Sequence, residues 1–190
     1  MTLERQLTEA IVMATTAHMS QLDKGGNPYI LHPICIMNNV DSIEEKIVAV
    51  LHDILEDTSV SVFELGAVGI DKQLISSIDM LTKRKKETYF EYIDRIAQSG
   101  DVVAMNVKIE DLTHNMDTKR LKELKNTDIE RLSKYARAMQ IIKSARQELE
   151  YEQCKHKWSN TGYGRFINNT VQSIHMCEKC GKREYRDELF

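Results

Sequence analysis

The stretch Val50-Leu51-His52-Asp53-Ile54-Leu55-Glu56-Asp57 constrains this chain more than any other, because it sets one imidazole and three carboxylates among apolar residues. At about 100° per residue, a helix puts His52 with Glu56 and Asp53 with Asp57, while Ile54 and Leu55 turn away. Along the segment, Ile43, Ile47, Val50, Leu51, Ile54 and Leu55 recur at helical spacing. Asp41 or Ser42 can cap the start, and Glu44 and Glu45 suit the first-turn dipole. One helix is therefore predicted, burying one side and presenting the four polar groups on the other. Taken alone, such a run also fits a solvated acidic helix end. The rest of the chain favours the first reading.

The flanking sequence is helical throughout. Residues 2–19 carry Leu3, Leu7, Ala10, Ile11, Ala14 and Ala17 as one stripe. A polar loop, Gln21 to Tyr29, follows. Both prolines of the chain, Pro28 and Pro33, fix this loop and the helix start after it, with His32 at or just before that start. Further helices are predicted over 60–68, 71–81 and 89–97, punctuated by Gly66, Gly69 and Gly100. The basic run Thr82-Lys83-Arg84-Lys85-Lys86 reads either as a solvated loop or as a cationic flap over an anionic substrate. Residues 101–116 form a second apolar helix interrupted by Asp111, His114 and Asn115. Residues 128–151 form a long one, packing through Ile129, Leu132, Tyr135, Ala136, Met139, Ile142 and Leu149. No strand pattern precedes residue 150. With 190 residues and 42% hydrophobic content, this describes an all-α domain over 1–150 with a small appendage over 151–190.

A formal charge of −3 argues against broad electrostatic binding of nucleic acid. No run of about 18 apolar residues could span a membrane, and the first residues lack the basic-then-apolar pattern of a secretory signal. The chain reads as cytoplasmic. Cys35 sits in an apolar run and reads as core, whereas Cys154, Cys177 and Cys180 cluster after residue 150.

Three helices each supply hard or borderline metal ligands: His32, the His52-Asp53 pair, and Asp111. Two imidazoles and two carboxylates offset the charge of a divalent cation and leave positions for water and a phosphate oxygen. His32 by itself fits a capping or core histidine equally well. The set resembles the HD-domain phosphohydrolase superfamily and, more narrowly, the hydrolase domain of the RelA/SpoT family with its small alarmone hydrolases. That resemblance rests on Ala17-His18, Gln21, the run from Asp23 to Pro33, the run from Leu51 to Thr58, Leu81-Thr82, and the run from Val107 to Met116, in the family's order and spacing over residues 5–145.

The resemblance implies an HD-domain helical bundle with His32, His52, Asp53 and Asp111 holding manganese or another divalent metal. It implies Glu56 and Asp57 as the catalytic carboxylates beside the water, Lys24 and Tyr29 on the substrate-facing loop, and Asn115 near the ribose and its phosphates. The reaction implied is removal of pyrophosphate from the ribose 3′ position of (p)ppGpp by a metal-activated water. Such a cation lowers the pKa of its water, and neighbouring carboxylates can move the proton. Lys24, Lys108 and the run 83–86 could neutralise phosphates. The chain departs from the family at Asp23, where an arginine able to stack on guanine is common. Glu110, Leu112 and Thr113 also differ. These departures keep open another nucleotide phosphate as substrate, such as an adenine alarmone, NADPH or a nucleoside monophosphate. No synthetase domain is read in the chain.

Beyond Tyr151, Cys154-Lys155-His156 and Cys177-Glu178-Lys179-Cys180-Gly181 supply four borderline-soft ligands at knuckle spacing, which predicts a tetrahedral, structural zinc. His175 is an alternative to His156. Thr161 to Gly164 and Asn168-Asn169 read as turns and Val171 to Met176 as a strand, giving a zinc-stapled β-hairpin too short to fold on its own core. A reading of a different class makes this module a protein- or nucleic-acid-binding element on a helical scaffold.

Overall fold

A computed structural model describes residues 1–23, 25–118, 125–167 and 170–187, the side chains of Phe166, Ile167, Thr170 and Asp187 excepted. Lys24 and the Asn168-Asn169 turn lie outside the described residues. The chain divides into two compact units, Met1–Arg146 and Gln147–Phe190.

The first unit is helical: α1 (Leu3–Ala17), α2 (Leu31–Asn39), α3 (Ile43–Leu51), α4 (Ile54–Asp57), α5 (Val62–Ala67), α6 (Lys72–Leu81), α7 (Tyr89–Gln98), α8 (Val102–Asn115) and most of α9 (Asn126–Gln153). Helix α3 is the hub, packed against α1, α2, α6 and α8. Ile47, Val48, Ala49, Val50 and Leu51 are all buried, so α3 is enclosed on every side at its C-terminal end. Each Ile, Val or Leu side chain so enclosed contributes about 1.5–3 kcal/mol. The N-terminal end of α3 is held by a capping box, the Ser42 side chain accepting from the Glu45 N–H while the Glu45 carboxylate accepts from the Ser42 N–H at 3.0 Å.

The chain does not run through His52 and Asp53 as one helix. α3 ends at Leu51 and α4 begins at Ile54, with both intervening residues still in the right-handed helical region. The break turns His52 and Asp53 toward α2 and α8 instead of leaving them on a continuous polar stripe. Of the stripe expected on α9, Ile142 is buried, whereas Ile129 is 57% exposed and Ala138, outside that stripe, is buried. Cys35 is half-buried.

The second unit is a three-stranded antiparallel sheet in the order β1 (Trp158–Ile167), β2 (Thr170–Cys177), β3 (Arg183–Asp187). The predicted hairpin therefore gains a third strand. Thr161 to Gly164, expected as a turn, lie inside β1 at a register shift between Asn160 and Gly164.

Candidate active site and metal-binding clusters

At the end of α3 the His52 ring is 3% exposed, and its Nδ1 lies 2.8 Å from the Ala49 carbonyl oxygen. A carbonyl only accepts, so Nδ1 carries the proton and the neutral ring leaves a lone pair on Nε2. That Nε2 has no hydrogen-bond partner of proper geometry, yet it faces Asp53 Oδ2 at 2.8 Å and Asp111 Oδ1 at 3.9 Å. A lone pair aimed at carboxylates at such range requires a positive charge between them. Without a cation the protein recruits a proton: burial works against the imidazolium, but Asp53 and then Asp111 carry His52 up to about 9. Asp53 falls correspondingly to about 2, burial being outweighed by the charge of His52.

The ring of His32, in the first turn of α2, completes the convergence. Its Nε2 lies 3.3 Å from Asp111 Oδ1 and 3.6 Å from Asp53 Oδ2. Ligand atoms of His32, His52 and Asp53 all fall within 4.8 Å of one another. His32, His52 and Asp111 side chains are 9%, 3% and 6% exposed and Asp53 26%, so the cluster opens to solvent on the Asp53 side.

Each of these groups is gripped from behind. Tyr29 donates its hydroxyl to Asp53 Oδ2, and burial together with that carboxylate pushes the phenol far above its usual range. His32 Nδ1 is 2.7 Å from His114 Nδ1. Asn115 Nδ2 donates to Asp111 Oδ1 at 2.5 Å, and Lys108 Nζ donates to Asp111 Oδ2 at 2.7 Å. Burial disfavours the Lys108 charge, but Asp111 holds its pKa well above normal. Against burial, Lys108 likewise holds Asp111 far below the carboxylate range. Lys108 is thus bound to Asp111 and does not face solvent phosphates, which corrects the expectation for it. Lys108, His114 and Asn115 were not read as partners of the cluster, although their offsets from Asp111 of three, three and four residues are the signal that places them on its side of α8.

Glu56 and Asp57 are exposed beside this cluster. Glu56 Oε2 accepts the N–H of Lys83 at 3.0 Å, which ties the basic run to α4. Gln21 Nε2 donates to the Asp57 carbonyl at 3.0 Å. Burial, then the charges of Asp53 and Glu56, raise the Asp57 carboxyl. In the basic run, Arg84 is engaged by Asp79 through two bonds of 2.8 and 2.6 Å, while Lys85 and Lys86 are exposed. Asp23 serves its own loop: its Oδ1 accepts the N–H groups of Gly25 and Asn27, both at 2.8 Å.

In the second unit, Cys154, His156, Cys177 and Cys180 bring four ligand atoms within 4.8 Å of one another. Cys154 Sγ and Cys177 Sγ are 3.8 Å apart, and Cys180 Sγ is 3.4 Å from His156 Nδ1. A sulfur separation of 3.8 Å is far beyond a disulfide and close to the edge of a tetrahedron built on bonds of about 2.3 Å. Although burial works upward, the N–H groups of Cys180 and Lys179 help bring the Cys177 thiol down to about 5. His175 instead lies 3.0 Å from Ser173 Oγ, so the cluster takes His156.

The helical bundle thus gathers two imidazoles and two carboxylates at its centre, a donor set able to hold a divalent cation. No family model matches the sequence. The chain is 32% identical over 126 residues to the bifunctional (p)ppGpp synthase/hydrolase SpoT of Escherichia coli (strain K12), covering 60% of this chain and 18% of that relative. It is 29% identical over 127 residues to a guanosine-3′,5′-bis(diphosphate) 3′-pyrophosphohydrolase of Borreliella burgdorferi, covering 60% of this chain and 19% of that relative. The chain therefore spans under a fifth of the length of these curated relatives. A solved structure of a metazoan ortholog of SpoT, described as hydrolyzing ppGpp, shares the fold with a TM-score of 0.59 at 15% identity, over 78% of this chain and 95% of that one. The chain is similar, in sequence and in fold, to alarmone hydrolases of the HD type. Among the described residues, no helix is long and apolar enough to cross a membrane.

Proposed function

We propose that this chain is a metal-dependent hydrolase that removes pyrophosphate from the 3′ position of (p)ppGpp-type nucleotides. The observation that carries this reading is the convergence of His32, His52, Asp53 and Asp111, with the tautomer of His52 set so that its lone pair points inward. These four residues would hold the cation, which we take to be manganese. When bound, it supplies a Lewis acid that lowers the pKa of a water and polarises a phosphoryl oxygen.

The chain's own residues do the rest. For His32 to offer Nε2, its Nδ1 donates to His114 Nδ1, which fixes the ring plane. Asp57, its carboxyl raised above the ordinary value by burial and by the charges of Asp53 and Glu56, takes the proton of the attacking water. Glu56, a turn-mate of Asp57, orients that water and keeps the Lys83 backbone at the site. The water oxygen bonds to phosphorus, the bond from phosphorus to the ribose 3′ oxygen breaks, and Asp57 returns a proton to that leaving oxygen. Tyr29 and Asn115 would contact the substrate, as would Lys24 of the same loop by its resemblance to the family, and Asn115 also steadies Asp111. The segment 1–150 is the hydrolase domain and 151–190 a module holding a structural zinc through Cys154, His156, Cys177 and Cys180.

Asp23 favours a second reading of the base. It closes its own loop and offers no cation to stack on guanine. The panel that separates the readings is guanosine and adenosine 3′-pyrophosphates, nucleoside mono- and triphosphates, and NADPH, each with manganese, analysed for products. Pyrophosphate release from the guanosine compound, abolished in Asp53→Asn with the fold retained, is the expected result; retained turnover in Asp53→Asn refutes the site. For the second unit, metal analysis should give one zinc per chain, lost in Cys177→Ser/Cys180→Ser while hydrolysis persists. Equal zinc content in that variant overturns the assignment.

A further inference from the structure

The two faces of the C-terminal sheet differ in kind. On one, β2 presents Ser173 and Cys177, both buried. On the other it presents Gln172, Ile174 and Met176, paired across the register with Asp187, Tyr185 and Arg183 of β3, and Gln172 also with Arg165 of β1. Met176 is 36% and Tyr185 46% exposed, and Arg165 and Arg183 are exposed as well. The Arg165 guanidinium lies over the Tyr185 ring at 3.6 Å from its centroid, with its Nε bonded to Gln172 Oε1 at 2.9 Å. A tyrosine, a methionine and two arginines thus share one face of the sheet.

Charge sets what such a face can take. Residues 154–187 hold seven Lys or Arg against three Asp or Glu, although the whole chain is at −3. Two of those three acids are already neutralised: Glu178 by Lys157 at 2.5 Å and Glu184 by Arg186. The complement to exposed guanidinium groups beside a π-face is an anion that carries flat rings. Unpaired nucleotides meet both requirements, because bases stack on tyrosine and on guanidinium planes while phosphates meet the arginines. Paired bases hide their faces in the duplex. Folded RNA displays unstacked bases at loops and ends, and an acidic peptide lacks the rings.

We propose that the sheet face bearing Arg165, Met176, Arg183 and Tyr185 is a docking surface for single-stranded RNA. The surface is separate in sequence from the candidate hydrolase residues and needs no nucleotide turnover. It gives the second unit a function besides holding a metal.

The test is fluorescence anisotropy of the full, metal-loaded chain with a short fluorescein-labelled oligouridylate, titrated at several salt concentrations. Competitors are the matching oligodeoxythymidylate, duplex RNA and polyglutamate. The wild type should bind saturably and be displaced by unlabelled single-stranded RNA ahead of the others. Tyr185→Leu, which keeps apolar volume, should weaken binding about tenfold or more through loss of a base stack. Arg165→Gln/Arg183→Gln should lower the slope of log affinity against log salt by about 1.4, at about 0.7 for each lost phosphate contact. Metal content and circular dichroism check the sheet. If Tyr185→Leu loses metal, the arginine pair alone decides. Absence of saturable binding, unchanged affinity and salt slope in the arginine variant, DNA bound as tightly as RNA, or displacement by polyglutamate as readily as by RNA each overturns the proposal.

Discussion

Replacing Lys108 by methionine tests whether this lysine serves Asp111 or the substrate. The ammonium donates to Asp111 Oδ2 at 2.7 Å, with the two side chains 12% and 6% exposed, and it lies 5.0 Å from the Tyr92 ring centroid. Methionine retains most of the volume but leaves Asp111 as a buried, uncompensated carboxylate. Breaking such a pair costs about 3–5 kcal/mol. Here the low end applies, because His52 Nε2 at 3.9 Å can bring a proton to the remaining charge. A loss of about 3 kcal/mol lowers the melting temperature of a chain this size by roughly 6–12 °C. Manganese supplies the missing positive charge, so the gap between variant and wild type should narrow when the metal is added. Its binding at a hundredfold excess over Kd contributes about 2.7 kcal/mol, and the variant's more negative site should take the metal more tightly. The assay is thermal unfolding of both proteins with chelator and with manganese, beside KM and kcat. Unchanged metal-free stability together with a raised KM would return Lys108 to the substrate phosphates and refute the reasoning.

Two further outcomes follow from the site. Because burial, Asp53 and Glu56 raise the Asp57 carboxyl, its proton-accepting form is lost at a higher pH than for an ordinary carboxylate. Asp57→Asn should lower kcat by about 10²–10⁴-fold and flatten the acid limb of its pH profile. A raised folded-state pKa means ionisation opposes folding, so the same variant should be more stable at neutral pH; lower stability there contradicts the assignment. Asp23→Asn keeps an oxygen acceptor for the Gly25 and Asn27 N–H groups and should leave KM nearly unchanged, whereas Asp23→Arg removes it and should raise KM for every nucleotide alike. A gain confined to guanosine substrates in Asp23→Arg shows instead that the loop tolerates the change and that position 23 reads the base.

The helices were legible because their signals are local: Ser42 with Glu45 closes a capping box within one turn, and the periodicity of α1, α3 and α8 needs no distant partner. The break at His52-Asp53 was not, since both residues keep helical backbone angles and the apolar spacing continues across them. Burial of Lys108 was equally hidden. A lysine three residues before an aspartate reads the same whether the pair faces water or the centre of a bundle. On α9 the apolar spacing marked Ile142, which is buried, but also Ile129, which is exposed, and it passed over buried Ala138. The third strand escaped notice because Arg183 to Asp187 is polar on both faces and takes its place from pairing with β2.

What the structure adds to the motif is the set of restraints behind it. α8 carries Lys108, Asp111, His114 and Asn115, and each reaches the cluster: two hold Asp111, and one holds His32. The Ala49 carbonyl, two residues before the end of α3, sets the tautomer of His52, and Tyr29 holds Asp53. Two imidazoles and two carboxylates left to themselves would relax toward solvent or recruit protons. Here α3 and α8 are packed directly on each other, and Val48 and Leu51 of the one and Met105 and Leu112 of the other are buried. The cost of gathering like charges at one point is therefore met by the apolar core of the bundle and by Lys108, before any cation arrives. A substitution in that packing, far from any ligand, should loosen the cluster as surely as a change to the ligands themselves.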